Sequence, residues 1–152
     1  MTVGELVAHG EGEMLGIGAA LARVLQVGDV VALSGGLGAG KTTLARGLLS
    51  ALGLEEEAPS PTFAIVQPYE PPEVRLPVVH VDLYRLDNPE DVEELGLDDY
   101  LHDSALVVEW PERMGERLWP DALAIHVEIL ADGARRLTAS LPPSWKERWP
   151  FP

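Results

Sequence analysis

Gly35-Gly36-Leu37-Gly38-Ala39-Gly40-Lys41-Thr42 fits the pattern G-x-x-x-x-G-K-[ST], and no other stretch constrains this chain as much. Its flanks agree with it. Val30–Ser34 is a short apolar run of strand type, and Thr42–Leu52 reads as a helix ended by Gly53 at the C′ position. A strand leading through a glycine-rich loop into a helix turns successive backbone N–H groups towards one point. The helix dipole adds its positive end at the same place. The expected ligand is therefore a nucleoside triphosphate, held by Gly36, Leu37, Gly38, Ala39, Gly40, Lys41, Thr42 and Thr43. Lys41 should reach the β- and γ-phosphates. The Thr42 hydroxyl should ligate Mg2+, which prefers oxygen and keeps several waters. Thr43 offers a second hydroxyl on the α-phosphate side.

Magnesium needs an acid, and two strands end in one. Ala105-Leu106-Val107-Val108-Glu109 is an apolar run closed by a carboxylate, and Val78-Val79-His80-Val81-Asp82 nearly repeats it. The apolar residues anchor such a strand, and the acid emerges at its C-terminal end, where α/β sheets bind ligands. Glu109 is the preferred metal acid, direct or through water. Asp82 would orient the attacking water or a second metal-bound water. Thr62, in the Ser60-Pro61-Thr62-Phe63 loop, is the candidate sensor of the γ-phosphate. The same loop also reads as a Ser-Pro turn with Phe63 in the core. His80 reads as a packing or orienting histidine rather than a general base. Tyr84 and Arg85 either serve the site or fix the turn after their strand. Trp110 either lines the nucleotide pocket or belongs to the core. The base is adenine rather than guanine on this reading: the single asparagine, Asn88, has no lysine beside it, so an Asn-Lys-x-Asp element is excluded.

The remaining pattern predicts the fold. Leu15–Leu25 has apolar residues near helical spacing. Thr62–Tyr69 and Val74–Leu83 read as strands, and Pro89–Leu95 and Pro111–Leu118 as short helices opened by proline. Ala122–Leu130 and Arg135–Leu141 flank an Asp132-Gly133 turn suited to a hairpin. Strands alternate with helices early and pair as hairpins late. That implies an α/β, P-loop NTPase-type three-layer sandwich, with a mixed, mostly parallel sheet and an antiparallel edge. Residues 1–141 should form one domain, with 142–152 as a Pro/Trp-rich C-terminal tail.

Composition narrows the setting. The net charge of −14 makes the chain, alone, a poor candidate for gripping DNA or RNA, since such binding draws on phosphate neutralisation. Twelve acids crowd residues 82–116 against Arg85 and Arg113, which suits either a solvated face or a docking surface for a basic partner. Cysteine is absent, no apolar run reaches membrane-spanning length, and the N-terminus lacks the basic and apolar regions of a signal peptide. A cytoplasmic location is expected.

Four ordered motifs carry a resemblance: Leu37-Gly38-Ala39-Gly40-Lys41-Thr42-Thr43, Ser60-Pro61-Thr62-Phe63, His80-Val81-Asp82-Leu83-Tyr84-Arg85-Leu86 and Val108-Glu109-Trp110-Pro111-Glu112. Together they resemble the TsaE (YjeE) family, from about Leu6 to about Leu141. The resemblance implies a Mg2+-dependent ATPase of bacterial tRNA threonylcarbamoyladenosine biosynthesis that works with TsaB and TsaD. It implies that TsaD modifies adenosine 37 of ANN-decoding tRNAs, that tRNA is met only through the complex, and that ATP turnover supports repeated cycles. It matches Glu109 to the magnesium-binding acid, Asp82 to the acid of the H-x-D motif, and Thr62 to the Ser-Pro-Thr-Phe loop. The alternatives are a small-molecule kinase, for which Arg75 and Arg85 are a thin lid, and a non-catalytic nucleotide switch.

Overall fold

The computed structural model describes residues 2–56, 58 and 66–152, the side chain of Thr2 excepted. The Ser60–Phe63 loop, and with it the expectation for Thr62, lies outside the described residues.

Seven strands form one mixed sheet: β1 (Thr2–Ala8), β2 (Val30–Gly35), β3 (Val66–Tyr69), β4 (Val78–Asp82), β5 (Ala105–Glu109), β6 (Leu123–Ile129) and β7 (Arg135–Leu141). Their order is β1-β7-β6-β2-β5-β4-β3. The centre, β6-β2-β5-β4, is parallel. The expected antiparallel edge is there in β6-β7, and the structure adds two more antiparallel pairings, β7-β1 and β4-β3, so both margins are antiparallel. The central strands are buried on both faces, which is why β2, β4 and β5 read as continuous apolar runs.

Helices α1 (Glu11–Val24) and α2 (Lys41–Ala51) cover one face. Val31 and Leu33 of β2 point into that layer, and Val30 and Ala32 into the other. The second layer is thinner. Among the described residues it consists of two 3-10 segments, Pro89–Leu95 and Pro111–Arg117, the latter kinked at Gly115 (φ 58°), and the short α3 (Leu97–Tyr100). Val92, Leu97 and Met114 seal it onto β4 and β5. The two proline-opened helices expected from sequence are thus 3-10 rather than α, as suits short connectors.

Helix α1 begins at Glu11, earlier than its apolar spacing indicated. The two helices meet backbone to backbone. A Cβ on Gly18 would lie 2.2 Å from the Leu44 carbonyl oxygen, and one on Gly47 would lie 2.3 Å from the Leu15 carbonyl oxygen. Helix α2 ends as expected: Gly53 has φ 119°, and the Leu54 and Gly53 amides donate to the carbonyls of Leu49 and Ser50.

Two strands differ from the sequence expectation. Val74–Leu83 is strand only over Val78–Asp82, because Pro77 has no N–H to give the ladder and enters it through its carbonyl, which accepts from Ala105. β1 was not expected at all. Its Gly4 lies under the Trp149 ring, 3.0 Å from where a Cβ would stand, so a residue that weakens the strand signal is there for a close approach.

The segment after Leu141 packs on the domain. Trp145 is fully buried in the core beneath α1 and α2, and Trp149 and Phe151 lie against the same cluster. Arg148 clamps Asp29 with two hydrogen bonds of 2.8 and 3.0 Å and donates to the Val24 carbonyl.

Candidate nucleotide-binding site

β2 delivers the chain into the loop at the point where the sheet continues to β5 on one side and β6 on the other. Such a switch point opens a crevice at the carboxyl ends of parallel strands. Gly35 passes hard against β6: with φ 140°, a Cβ there would stand 2.4 Å from the Val127 carbonyl oxygen. Gly40 caps α2 in the left-handed region at φ 112° and makes no side-chain capping bond. The first turn of α2 contains no acid and holds Lys41, Thr42 and Thr43 instead. Its leading amides therefore have neither a capping side chain nor an acid within their own turn, the arrangement that receives an anion.

The Lys41 ammonium donates to the carbonyls of Gly35 and Gly36. It also sits 3.5 Å from the centroid of the Trp110 ring. Lys41 is only 5% exposed. Burial pushes its pKa below the usual lysine value, while Glu109, Glu112 and Asp82 pull it back up.

Glu109 and Asp82 stand opposite each other in the parallel β4–β5 register. Both are buried, and both share the face that carries α2. The Thr42 hydroxyl donates to Glu109 Oε1 at 2.8 Å. The other carboxylate oxygen lies 2.6 Å from His80 Nε2. Asp82 accepts the Tyr84 amide at 2.9 Å, which turns the chain sharply after β4. Trp110 follows Glu109 with φ 61°, a strained conformation for a bulky residue of the sort that gathers at functional sites. That conformation swings the indole over Lys41 and sets it 5.0 Å from the Tyr84 ring.

These side chains bound a cleft of about 300 Å3, lined by residues 37–43 with Asp82, Tyr84, Glu109 and Trp110. Of the residues singled out from sequence, the structure brings all of these into one place. Gly36 lies behind the cleft as an acceptor for Lys41. Trp110 does both things open to it, lining the cleft and packing on the second apolar layer.

Two contacts were not legible in the sequence. Arg135, just past the β6–β7 turn, donates to the carbonyls of Ala39 at 2.9 Å and Gly38 at 3.3 Å. It braces the loop from behind, with carbonyls outward. No local pattern announces a contact between residues 96 positions apart. The second is a further cleft of about 280 Å3 across the loop, where Gly10, Glu11, Met14, Gly133 and Arg135 face Gly38, Gly40 and Thr43.

The donor set suits a magnesium–triphosphate. Among the described residues no group of three or more His, Cys, Asp or Glu converges to cage a metal. A hard cation here would take one hydroxyl from Thr42, a carboxylate contact from Glu109, and the rest of its shell from phosphates and water. No helix of the described residues is long and apolar enough to cross a membrane.

Comparison with known proteins agrees with this geometry. The family model described as "Threonylcarbamoyl adenosine biosynthesis protein TsaE" matches residues 8–137. A Streptomyces coelicolor protein named tRNA threonylcarbamoyladenosine biosynthesis protein TsaE is 43% identical over 138 residues, covering 88% of this chain and 91% of its own. A Treponema pallidum protein of the same name is 38% identical over 124 residues, covering 81% and 90%. The crystal structure of YdiB from Bacillus subtilis superposes with a TM-score of 0.80 at 29% identity, over 96% of this chain and 90% of that one. On these matches, the chain belongs to the TsaE family of tRNA threonylcarbamoyladenosine biosynthesis proteins.

Proposed function

We propose that this chain binds ATP with Mg2+ in the cleft at the mouth of α2 and hydrolyses it. On this reading the protein is cytoplasmic, and its turnover supports threonylcarbamoylation of adenosine 37 of tRNA in company with TsaB and TsaD. The observation that carries the nucleotide reading is the Thr42–Glu109 hydrogen bond set beside Lys41 at an uncapped helix N-terminus. The pathway and partners rest on family membership.

Each residue then has a task. The loop amides and Lys41 bind the phosphates, with the ammonium exchanging the Gly35 and Gly36 carbonyls for phosphate oxygens. Thr42 and Glu109 hold the cation, which when bound neutralises charge on the phosphates. Asp82 orients the attacking water. Trp110 and Tyr84 shield the cleft from bulk solvent. Adenine lies in the second cleft, against Met14 and the segment before α1. The γ-phosphate contact assigned to Thr62 belongs to the same proposal.

Calorimetry with ATP and ADP, with and without Mg2+, tests the site, and phosphate release tests hydrolysis. Uptake of neither nucleotide, alone or with TsaB and TsaD present, refutes the reading. Capture from a lysate with and without ATP tests the partners. Appearance of a phosphorylated metabolite in place of free phosphate would instead support a small-molecule kinase.

Arg135→Ala probes the brace behind the loop. Losing a charged donor to two carbonyls should weaken ATP binding by about tenfold, the worth of one such hydrogen bond. The far-ultraviolet circular dichroism should be unchanged. Wild-type affinity in the variant would show that the loop holds its shape without the guanidinium.

A further inference from the structure

His80 is one of the most deeply buried polar residues of the chain, with no exposed surface. It stands on β4 two residues before Asp82, so both side chains leave the same face of the sheet. The register pairs His80 with Val107 and Asp82 with Glu109. His80 is therefore a diagonal neighbour of Glu109, and its ring spans that diagonal to put Nε2 2.6 Å from Oε2. The other ring nitrogen, Nδ1, is buried and has no hydrogen-bond partner among the described residues. Among the described residues the ring thus has one polar engagement, with Glu109. A carboxylate only accepts, so the proton in this contact is on Nε2. An unpartnered buried nitrogen costs stability, and such a group in a native fold calls for a reason.

The reason lies one atom further on. Glu109 Oε1 accepts from Thr42, and Oε2 faces His80, so the carboxylate plane is pinned at both ends. A hydroxyl that ligates a cation through a lone pair keeps its O–H, so Thr42 can hold Oε1 while it meets the metal. His80 fixes the other oxygen, so the two contacts together keep Glu109 aimed at the cleft.

We propose that His80 is a positioning residue, presenting Nε2–H to Glu109 Oε2 so that the carboxylate stays oriented for Mg2+ beside Thr42. The proposal deepens the MgATP reading above and rests on it. It assigns His80 no contact with nucleotide or with the reacting atoms.

Paired variants separate positioning from packing. Glutamine places an amide N–H2 near the position of Nε2, whereas asparagine places its own near Nδ1. His80→Gln should keep the Mg2+ concentration for half-maximal nucleotide binding within about threefold of wild type, and His80→Asn should raise it about tenfold, the lower range for losing a metal ligand's supporting partner. ATP affinity measured in EDTA should stay within about twofold for both, since the loop amides and Lys41 are untouched. Nitrogen-15 spectra of the imidazole in the nucleotide-free wild type should place the proton on Nε2. That measurement, with His80→Gln, keeps the proposal open to refutation if His80→Asn does not fold. A bare Nε2 overturns it. So do two folded variants that titrate alike with Mg2+ while wild type binds normally. A wild type with no Mg2+-dependent nucleotide uptake overturns the MgATP reading and this proposal together.

Discussion

Lys41→Ala should lower ATP turnover by about 10²–10³-fold, the usual loss when one preorganised charged donor is removed from a water-poor site. The lysine is buried at the loop's centre, and its ammonium already rests on two loop carbonyls and the Trp110 face. Those contacts keep it within the cleft, so little reorganisation is needed to meet a phosphate. The fold should tolerate the change: the lysine's desolvation cost goes with it, and the buried Glu109 keeps its contacts with Thr42 and His80. Lys41→Arg should not restore turnover: a planar guanidinium is broader than an ammonium and sits badly between the loop and the indole. Steady-state phosphate release alongside a thermal melt checks both statements. Turnover at the wild-type level in a folded Lys41→Ala protein would remove the cleft from consideration as the site of hydrolysis.

Glu109→Ala is expected to act on the metal rather than on the nucleotide. The carboxylate joins Thr42 to His80, and nothing else at the end of β5 reaches both. Its loss should raise the Mg2+ requirement by about 100-fold, the upper range for disturbing a metal site's supporting groups. ATP affinity in EDTA should change far less. Glu109→Gln keeps the shape and one acceptor oxygen, so its Mg2+ midpoint should fall between wild type and alanine. A midpoint that does not move in either variant would pass the metal to Asp82, which stands directly across the register.

Where a signal is local, the sequence was a good guide. β5 was read to the residue, since four buried apolar positions and a terminal acid need no partner to be recognised. The loop and α2 were legible for the same reason: glycine, lysine and threonine at fixed spacing describe a backbone shape. Asp82 and Glu109 were legible as the ends of two similar strands, whereas their standing opposite each other came from the parallel β4–β5 register. What escaped was non-local. β1 is defined by pairing with β7 at the far end of the chain, and its glycine is explained only by Trp149. Arg135 reaches the loop across the fold, from a turn whose residues speak only of a hairpin. The 3-10 character of the two short connectors in the second layer is likewise nothing that a helical periodicity encodes.

The glycine contact between α1 and α2 bears on how this site endures substitution. Main chain lies against main chain at Gly18 and Gly47, so the seat of the lysine-bearing helix is set by atoms every residue possesses. Exchanges among the surrounding leucines and alanines alter cavities and rotamers, yet they have little leverage on where the leading amides of α2 stand. Interior exchanges elsewhere can thus leave the first turn of α2 in place, provided those two positions stay without side chains.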